Sequence, residues 1–295
     1  MQQLTVNLWM NGTAEEAGQF YASALPQTTM EVESRYPDEG LADFQQPLAG
    51  QALTVSVWVG GTKLTLINAG PEFSPNPSIS LILNFDPSAT EDAAAQLDAA
   101  WEALLDGGTV LMPLGEYPFS PRYGWVSDRY GVSWQLMLTN PAGEPAPLMI
   151  PNLMFAGAAQ NKAAEAIDFY TGLLGGEIKA KFNYEQANDV VNTQSVMFSD
   201  FTLGPDIVSA MDSGVAQDLN FTPGVSLQWD CDGQEEIDRV WDALSAVPEA
   251  EQCGWLTDKF GVSWQIVPSN MGELMSRPNA FEHMMGMKKL VIDEF

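Results

Sequence analysis

Gly254–Asn270 reads GWLTDKFGVSWQIVPSN, and Gly124–Asn140 reads GWVSDRYGVSWQLMLTN. Nine of these 17 positions are identical, and others are conservative pairs such as Arg129/Lys259, Tyr130/Phe260 and Leu136/Ile266. A match of this length far along one chain is the mark of duplication, so the chain reads as two copies of one unit, each ending on this segment. Phe20-Tyr21 recurs as Phe169-Tyr170, and Trp101-Glu102-Ala103-Leu104 as Trp241-Asp242-Ala243-Leu244. The second copy is ten residues shorter between its last helix and the shared segment, where the first carries Glu116–Pro121.

Hydrophobic periodicity predicts the same element order in both copies. Leu4–Met10 alternates as a strand, with Val6, Leu8 and Met10 on one face and Asn7 and Trp9 on the other. Thr13 followed by Glu16 fits a capping box for a helix that Pro26 stops. Pro37–Gly50 reads as a polar loop. Ala52–Val59 and Lys63–Ala69 form a hairpin around Gly60-Gly61. Ile79–Asp86 is a strand, Thr90–Leu105 a helix with Leu97, Trp101 and Leu104 at helical spacing, and Gly115–Arg122 a loop. Residues 1–140 are one unit, the proline-rich stretch 141–151 a linker, 152–270 the second unit and 271–295 a helical tail. Each unit reads β-α-β-β-β twice, an α+β fold with helices on one face of a sheet.

Composition narrows the partners. Twelve basic against 39 acidic residues give a net charge of −27, which repels phosphate backbones and anionic membrane surfaces. No nucleic-acid or membrane partner is expected. No apolar run reaches the ~20 residues that span a bilayer, and the N-terminus lacks a signal-peptide pattern, so the expected location is cytoplasmic. Cys231 and Cys253 are the only cysteines, too few for a thiolate zinc site. His283, the single histidine, falls in the tail.

Gln234–Leu244 (QEEIDRVWDAL) followed by Cys253–Gln265 (CGWLTDKFGVSWQ) resembles the PhnB-like group, also called the demethylubiquinone methyltransferase type, of the vicinal-oxygen-chelate (glyoxalase/bleomycin-resistance) superfamily. The first copy resembles it through LWMNGTAEEAGQFY and VLMPLGEYPFSPRYGWVSDRYGVSWQL. The resemblance implies two tandem glyoxalase-like domains, each of paired βαβββ modules forming a curved mixed sheet around a cavity. Modules can pair within one chain or exchange between chains to give a homodimer. The group's name implies S-adenosylmethionine, but no glycine-rich loop opens a helix here, so no cofactor is expected.

The superfamily also implies a divalent metal held by His and Glu on the first, fifth and eighth strands. Alternation places carboxamides there instead: Asn7, Asn84 and Gln135 in the first copy, and Asn152, Gln228 and Gln265 in the second. Neutral amide oxygens are weak ligands without carboxylate or imidazole beside them, so no metal is expected. Amides carry donors and acceptors together, which suits a neutral or zwitterionic small molecule. Trp9 and Trp58 fall on the same predicted face, and with Tyr117 and Phe119 of the extra loop they would wall a pocket, Glu116 offering a base or cation anchor. Trp101, Trp134, Trp229, Trp241 and Trp264 are expected in the core. The alternative is a lyase, isomerase or dioxygenase whose metal is held partly by amides and by Glu116 or Asp230.

Overall fold

The computed structural model describes residues 2–38, 41 and 43–295. Of the loop expected over Pro37–Gly50, positions 39, 40 and 42 lie outside that range, and Asp43–Leu48 is a short 3-10 turn. The first module comprises β1 (Leu4–Met10), α1 (Ala14–Ala24), β2 (Thr28–Arg35), β3 (Ala52–Val59) and β4 (Thr62–Asn68). The second comprises β5 (Ile79–Phe85), α2 (Ala93–Leu105), β6 (Thr109–Tyr117), β7 (Ser120–Ser127) and β8 (Ser133–Leu138). The third comprises β9 (Met149–Phe155), α3 (Ala163–Leu174), β10 (Ile178–Asn183), β11 (Val196–Leu203) and β12 (Asp206–Asp212). The fourth is shorter: β13 (Val225–Cys231), α4 (Gln234–Leu244), β14 (Trp255–Thr257) and β15 (Ser263–Pro268). The tail adds α5 (Met271–Leu274) and α6 (Ala280–Gly286).

The sheets combine modules across the two sequence copies. The first and fourth modules share a seven-stranded sheet, β14-β15-β13-β1-β4-β3-β2, and the second and third share an eight-stranded one, β10-β11-β12-β9-β5-β8-β7-β6. Antiparallel pairs β1/β13 and β5/β9 join the modules within each sheet. Module pairing therefore closes within the single chain. The chain folds as two α+β glyoxalase-like units of paired βαβββ modules.

Apolar residues at alternate strand positions meet helices on one face of each sheet. α1 buries Ala14, Ala17, Gly18 and Tyr21, one stripe at helical spacing. At Gly18 a Cβ would stand 2.9 Å from the Val55 side chain, so α1 sits directly on β3 and no larger residue fits without movement. The core facing the helices is one continuous cluster drawn from both sheets. All five tryptophans expected there are buried.

Two buried aspartates staple the sheets together. Asp128, in the β7–β8 turn, accepts hydrogen bonds from the backbone N–H groups of Tyr130 and Val132 through Oδ1. Its Oδ2 accepts from the Tyr21 hydroxyl at 2.7 Å and from Trp134 Nε1 at 2.8 Å. Asp258 repeats this with Phe260, Val262, Tyr170 at 2.5 Å and Trp264 at 2.9 Å. Each aspartate thus both closes its own tight turn and carries a helix from the other sheet. A third link is Asp206, whose Oδ2 accepts from Gln3 and Leu4 N–H.

Three local expectations are corrected. Thr13 makes no side-chain cap bond; Asn68 Oδ1 at the end of β4 accepts the Ala14 N–H instead, and Asp212 Oδ1 does the same for Ala163 of α3. The tertiary cap replaces the local one because the strand end is already fixed beside the helix start. Gly115–Arg122 is the tip of the β6–β7 hairpin rather than a loop. The fourth module lacks a counterpart of β6. There the tail supplies backbone, Met287 C=O accepting from Cys253 N–H and Lys288 C=O from Gly254 N–H. This covers an otherwise open sheet edge. Met287 is thereby buried inside the chain's own tail cluster with Leu274 and Leu290.

Candidate functional site

The face of each sheet turned away from the helices carries one transverse row of polar side chains, because in-register strands place them side by side. In the seven-stranded sheet the row is Ser56, Thr65, Asn7 and Ser226 on β3, β4, β1 and β13. In the eight-stranded sheet it is Asp200, Ser209, Asn152 and Ser80 on β11, β12, β9 and β5. The rows correspond position by position.

The eight-stranded row is bonded to itself from Ser80 to Ser209, short of Asp200. Tyr123 hydroxyl donates to Gln135 Oε1 at 2.7 Å, and Gln135 Nε2 donates to Ser80 Oγ at 2.7 Å. Asn152 Nδ2 donates to the same Oγ at 3.3 Å, and Ser209 Oγ donates to Asn152 Oδ1 at 3.0 Å. Trp125 Nε1 donates to Ser133 Oγ at 2.6 Å. Burial raises the Tyr123 hydroxyl above its ordinary range, so it stays a donor. Beside the row Tyr123, Trp125 and Met154 form a cluster with Met112, Tyr117, Met137 and Met211 against it. Tyr123 and Trp125 stand on β7, three strands from Met154 on β9, so the sheet is curled inward.

The seven-stranded row is left open. Asn7 Nδ2 donates to Gln228 Oε1 at 3.3 Å, Gln228 Nε2 to Asp230 Oδ1 at 2.7 Å, and Gln265 Nε2 to Ser226 Oγ at 3.0 Å. Asn7 Oδ1 and Ser56 Oγ, on side chains 1% and 0% exposed, have no partner. Among the described residues only one other enclosed side-chain polar atom lacks a partner, Asp200 Oδ1 in the other row. Burial raises the Asp230 carboxyl, with the Gln228 hydrogen bond opposing the rise. Trp9 and Trp58 flank the open row. Trp9 Nε1 donates to Gly70 C=O at 2.8 Å, and its ring meets Phe73 and Trp255 edge-on.

Several residues expected to act together are placed apart. Trp9 and Trp58 belong to the seven-stranded sheet, whereas Tyr117 and Phe119 belong to the eight-stranded one, stack on each other and meet Tyr123 edge-on. The sequence copy joins them, but the sheets do not. Glu116 is exposed and precedes Tyr117 on β6, so alternation turns it away from the Tyr123 cluster. Asn84 Nδ2 donates to Pro147 C=O at 3.0 Å and holds the linker. His283 lies on α6 outside both sheets. Sequence reasoning missed Ser56, Thr65, Ser209 and Asp200. The last had a signal, a lone acidic residue inside the strand VMFSDFTL.

The metal implied by the superfamily does not fit these residues. Gln135 and Asn152 are engaged by Tyr123, Ser80 and Ser209, and the described residues contain no group of three His, Cys, Asp or Glu placed to share an ion. Neither glycine pair forms a strand-to-helix loop: Gly60-Gly61 turns the β3–β4 hairpin and Gly175 ends α3. Among the described residues no helix is long and apolar enough to cross a membrane.

Comparison with known proteins finds relatives in sequence and a likeness of fold. The PhnB protein from Bacillus cereus is 34% identical over 47% of this chain and 100% of that one, with a TM-score of 0.40. Protein PA1353 from Pseudomonas aeruginosa is 26% identical over 47% of this chain and 98% of its own, with a TM-score of 0.39. Glyoxalase I from Zea mays is 13% identical but covers 92% of this chain and 94% of its own, with a TM-score of 0.53, a likeness of fold. No curated protein matches the sequence. The profile of the family described as 3-demethylubiquinone-9 3-methyltransferase matches twice, over residues 2–137 and 147–267. With both copies matched, the chain belongs to that family.

Proposed function

We propose that the chain binds a neutral or zwitterionic small molecule on the inner face of the seven-stranded sheet, without a resident metal. The observation that carries this reading is the pair of enclosed, unpartnered atoms Asn7 Oδ1 and Ser56 Oγ. Leaving a buried polar atom unpaired costs about 1–3 kcal/mol, and a ligand N–H or O–H offered to Asn7 recovers it. Trp9 and Trp58 supply flat apolar surface for the rest of such a molecule.

The test begins with metal content, by plasma mass spectrometry on protein purified without chelator or affinity-tag metal. A thermal-shift screen of small polar compounds follows, read also by tryptophan fluorescence. The expected result is no stoichiometric metal, and a compound that raises Tm in the parent protein but not in Asn7→Ala. About one divalent ion per chain with chelator-sensitive turnover would overturn the reading. It would favour a lyase, isomerase or dioxygenase, with Asp230 as the carboxylate bonded to Gln228.

A further inference from the structure

Asp200 stands at the end of the eight-stranded row and makes no ion pair or side-chain hydrogen bond among the described residues. The reason lies in the direction of the row. Ser209, opposite Asp200, spends its hydroxyl proton on Asn152 Oδ1, whose amide nitrogen is spent on Ser80. Ser209 thus turns only lone pairs toward Asp200. β10 places Ala180 opposite on the other side, while Lys181 stands opposite Ser199 and so on the other face. Asp206 and Asp212, at the ends of β12, are occupied with backbone N–H groups. The fold therefore brings a half-buried carboxylate to this face and provides no donor for it. Burial accordingly pushes its carboxyl up to about 6, so it is largely ionised at neutral pH.

The apolar surroundings complete the site. Met211 is the diagonal cross-strand neighbour of Asp200, about 7–8 Å away between backbones. It pairs directly with Met154, and both join the rings of Tyr123 and Trp125. Methionine side chains adapt to irregular guests, and aromatic faces attract cations. We infer that the inner face of the eight-stranded sheet is a second binding site, for a small protonated amine bearing an apolar or aromatic body. The ammonium N–H groups donate to Asp200 and Ser209, and the body lies against Met211, Met154, Tyr123 and Trp125. A neutral analogue of the same shape lacks the charge that Asp200 requires.

The experiment is isothermal titration of the full chain at pH 7.5 with 2-phenylethylamine and with 2-phenylethanol, its neutral counterpart, each in 0.05 M and 0.5 M salt. The amine is expected to bind at least tenfold more tightly than the alcohol at both salt concentrations. Asp200→Asn should bring the amine to the level of the alcohol while Tm does not fall. Equal binding of the two probes, no binding of either, or an unchanged preference in Asp200→Asn would overturn the inference. So would a preference abolished by 0.5 M salt, which would mark general attraction to a chain of charge −27.

Discussion

The two inner faces began as copies, and they now handle the same polar positions in opposite ways. Asn7 and Asn152 occupy equivalent places on β1 and β9, as do Ser226 and Ser80, and Gln265 and Gln135. Around Asn152 every bond is closed: Ser209 supplies the donor for its oxygen, and Tyr123 fixes the glutamine beyond Ser80. Around Asn7 the corresponding partners are changed. Thr65 replaces Ser209, and its branched side chain has fewer rotamers with which to reach the amide. Cys253 replaces Tyr123, so no phenol reaches Gln265. These substitutions, with Gln228 in the place of Ile82, separate a row whose amides are all paired from one with an amide oxygen to spare. The helix side diverged far less, since both aspartate staples keep four donors each. A duplicated fold can hold its core fixed while its two inner faces come to leave different groups unpaired, an amide oxygen and a hydroxyl on one and the Asp200 carboxylate on the other.

The largest expected effect tests the conserved half of that comparison. Asp128→Ala or Asp258→Ala strands two backbone N–H groups, a tyrosine hydroxyl and an indole N–H in the interior. Each should cost about 3–5 kcal/mol in urea denaturation, equally for the two sites. A difference above about 2 kcal/mol would mean that the staples, like the floors, have diverged. The next effect is alkaline. Burial, reinforced by the charge of Asp128 or Asp258, holds the Tyr21 and Tyr170 phenols well above their usual range. The folded chain then keeps protons that the unfolded chain releases near pH 10. The stabilisation is complete below pH 10 and is lost as pH rises beyond it, at up to about 1.4 kcal/mol per pH unit for each tyrosine. The tyrosinate absorbance that belongs to these two residues, read as the difference from Tyr21→Phe and Tyr170→Phe, should therefore rise together with unfolding rather than before it. Tyr123→Phe should weaken this dependence, because its phenol is raised too, by burial in the eight-stranded floor and then by the neighbouring Tyr117.

The repeat and the strand alternation made the fold legible, because a period of two fixes which face a side chain takes once the strand is recognised. Asn7, Asn152, Gln135 and Gln265 accordingly stand on the inner faces. Strand pairing was not legible. Nothing local to β1 says that it lies beside β13, more than 200 residues along the chain, rather than beside β5 of its own copy. That is why Trp9 and Tyr117, joined by sequence, were assigned to one pocket and stand on two sheets. Thr13 looked like a cap for the same reason, since Asn68 reaches the helix from a strand end 54 residues away. Asp200 was hidden because its meaning lies in what Ser209 fails to offer, a property of the network rather than of a motif.

The smallest effect bears most directly on function. Asn152→Ala removes the donor to Ser80 and the acceptor of Ser209, and should cost about 2–3 kcal/mol. Asn7→Ala removes one long bond to Gln228 and an oxygen that has no partner, so its cost should stay below about 1 kcal/mol. The difference of at least about 1 kcal/mol, measured by urea denaturation at unchanged m-value, isolates the unequal satisfaction of two equivalent side chains. If Asn7→Ala proved as costly as Asn152→Ala, the Asn7 oxygen would have a partner in solution. The seven-stranded floor would then be closed like the other, and binding there would lose the atom on which it rests. If the small cost holds, a ligand that stabilises the parent protein and not Asn7→Ala reports contact with that oxygen, since the variant has lost little else.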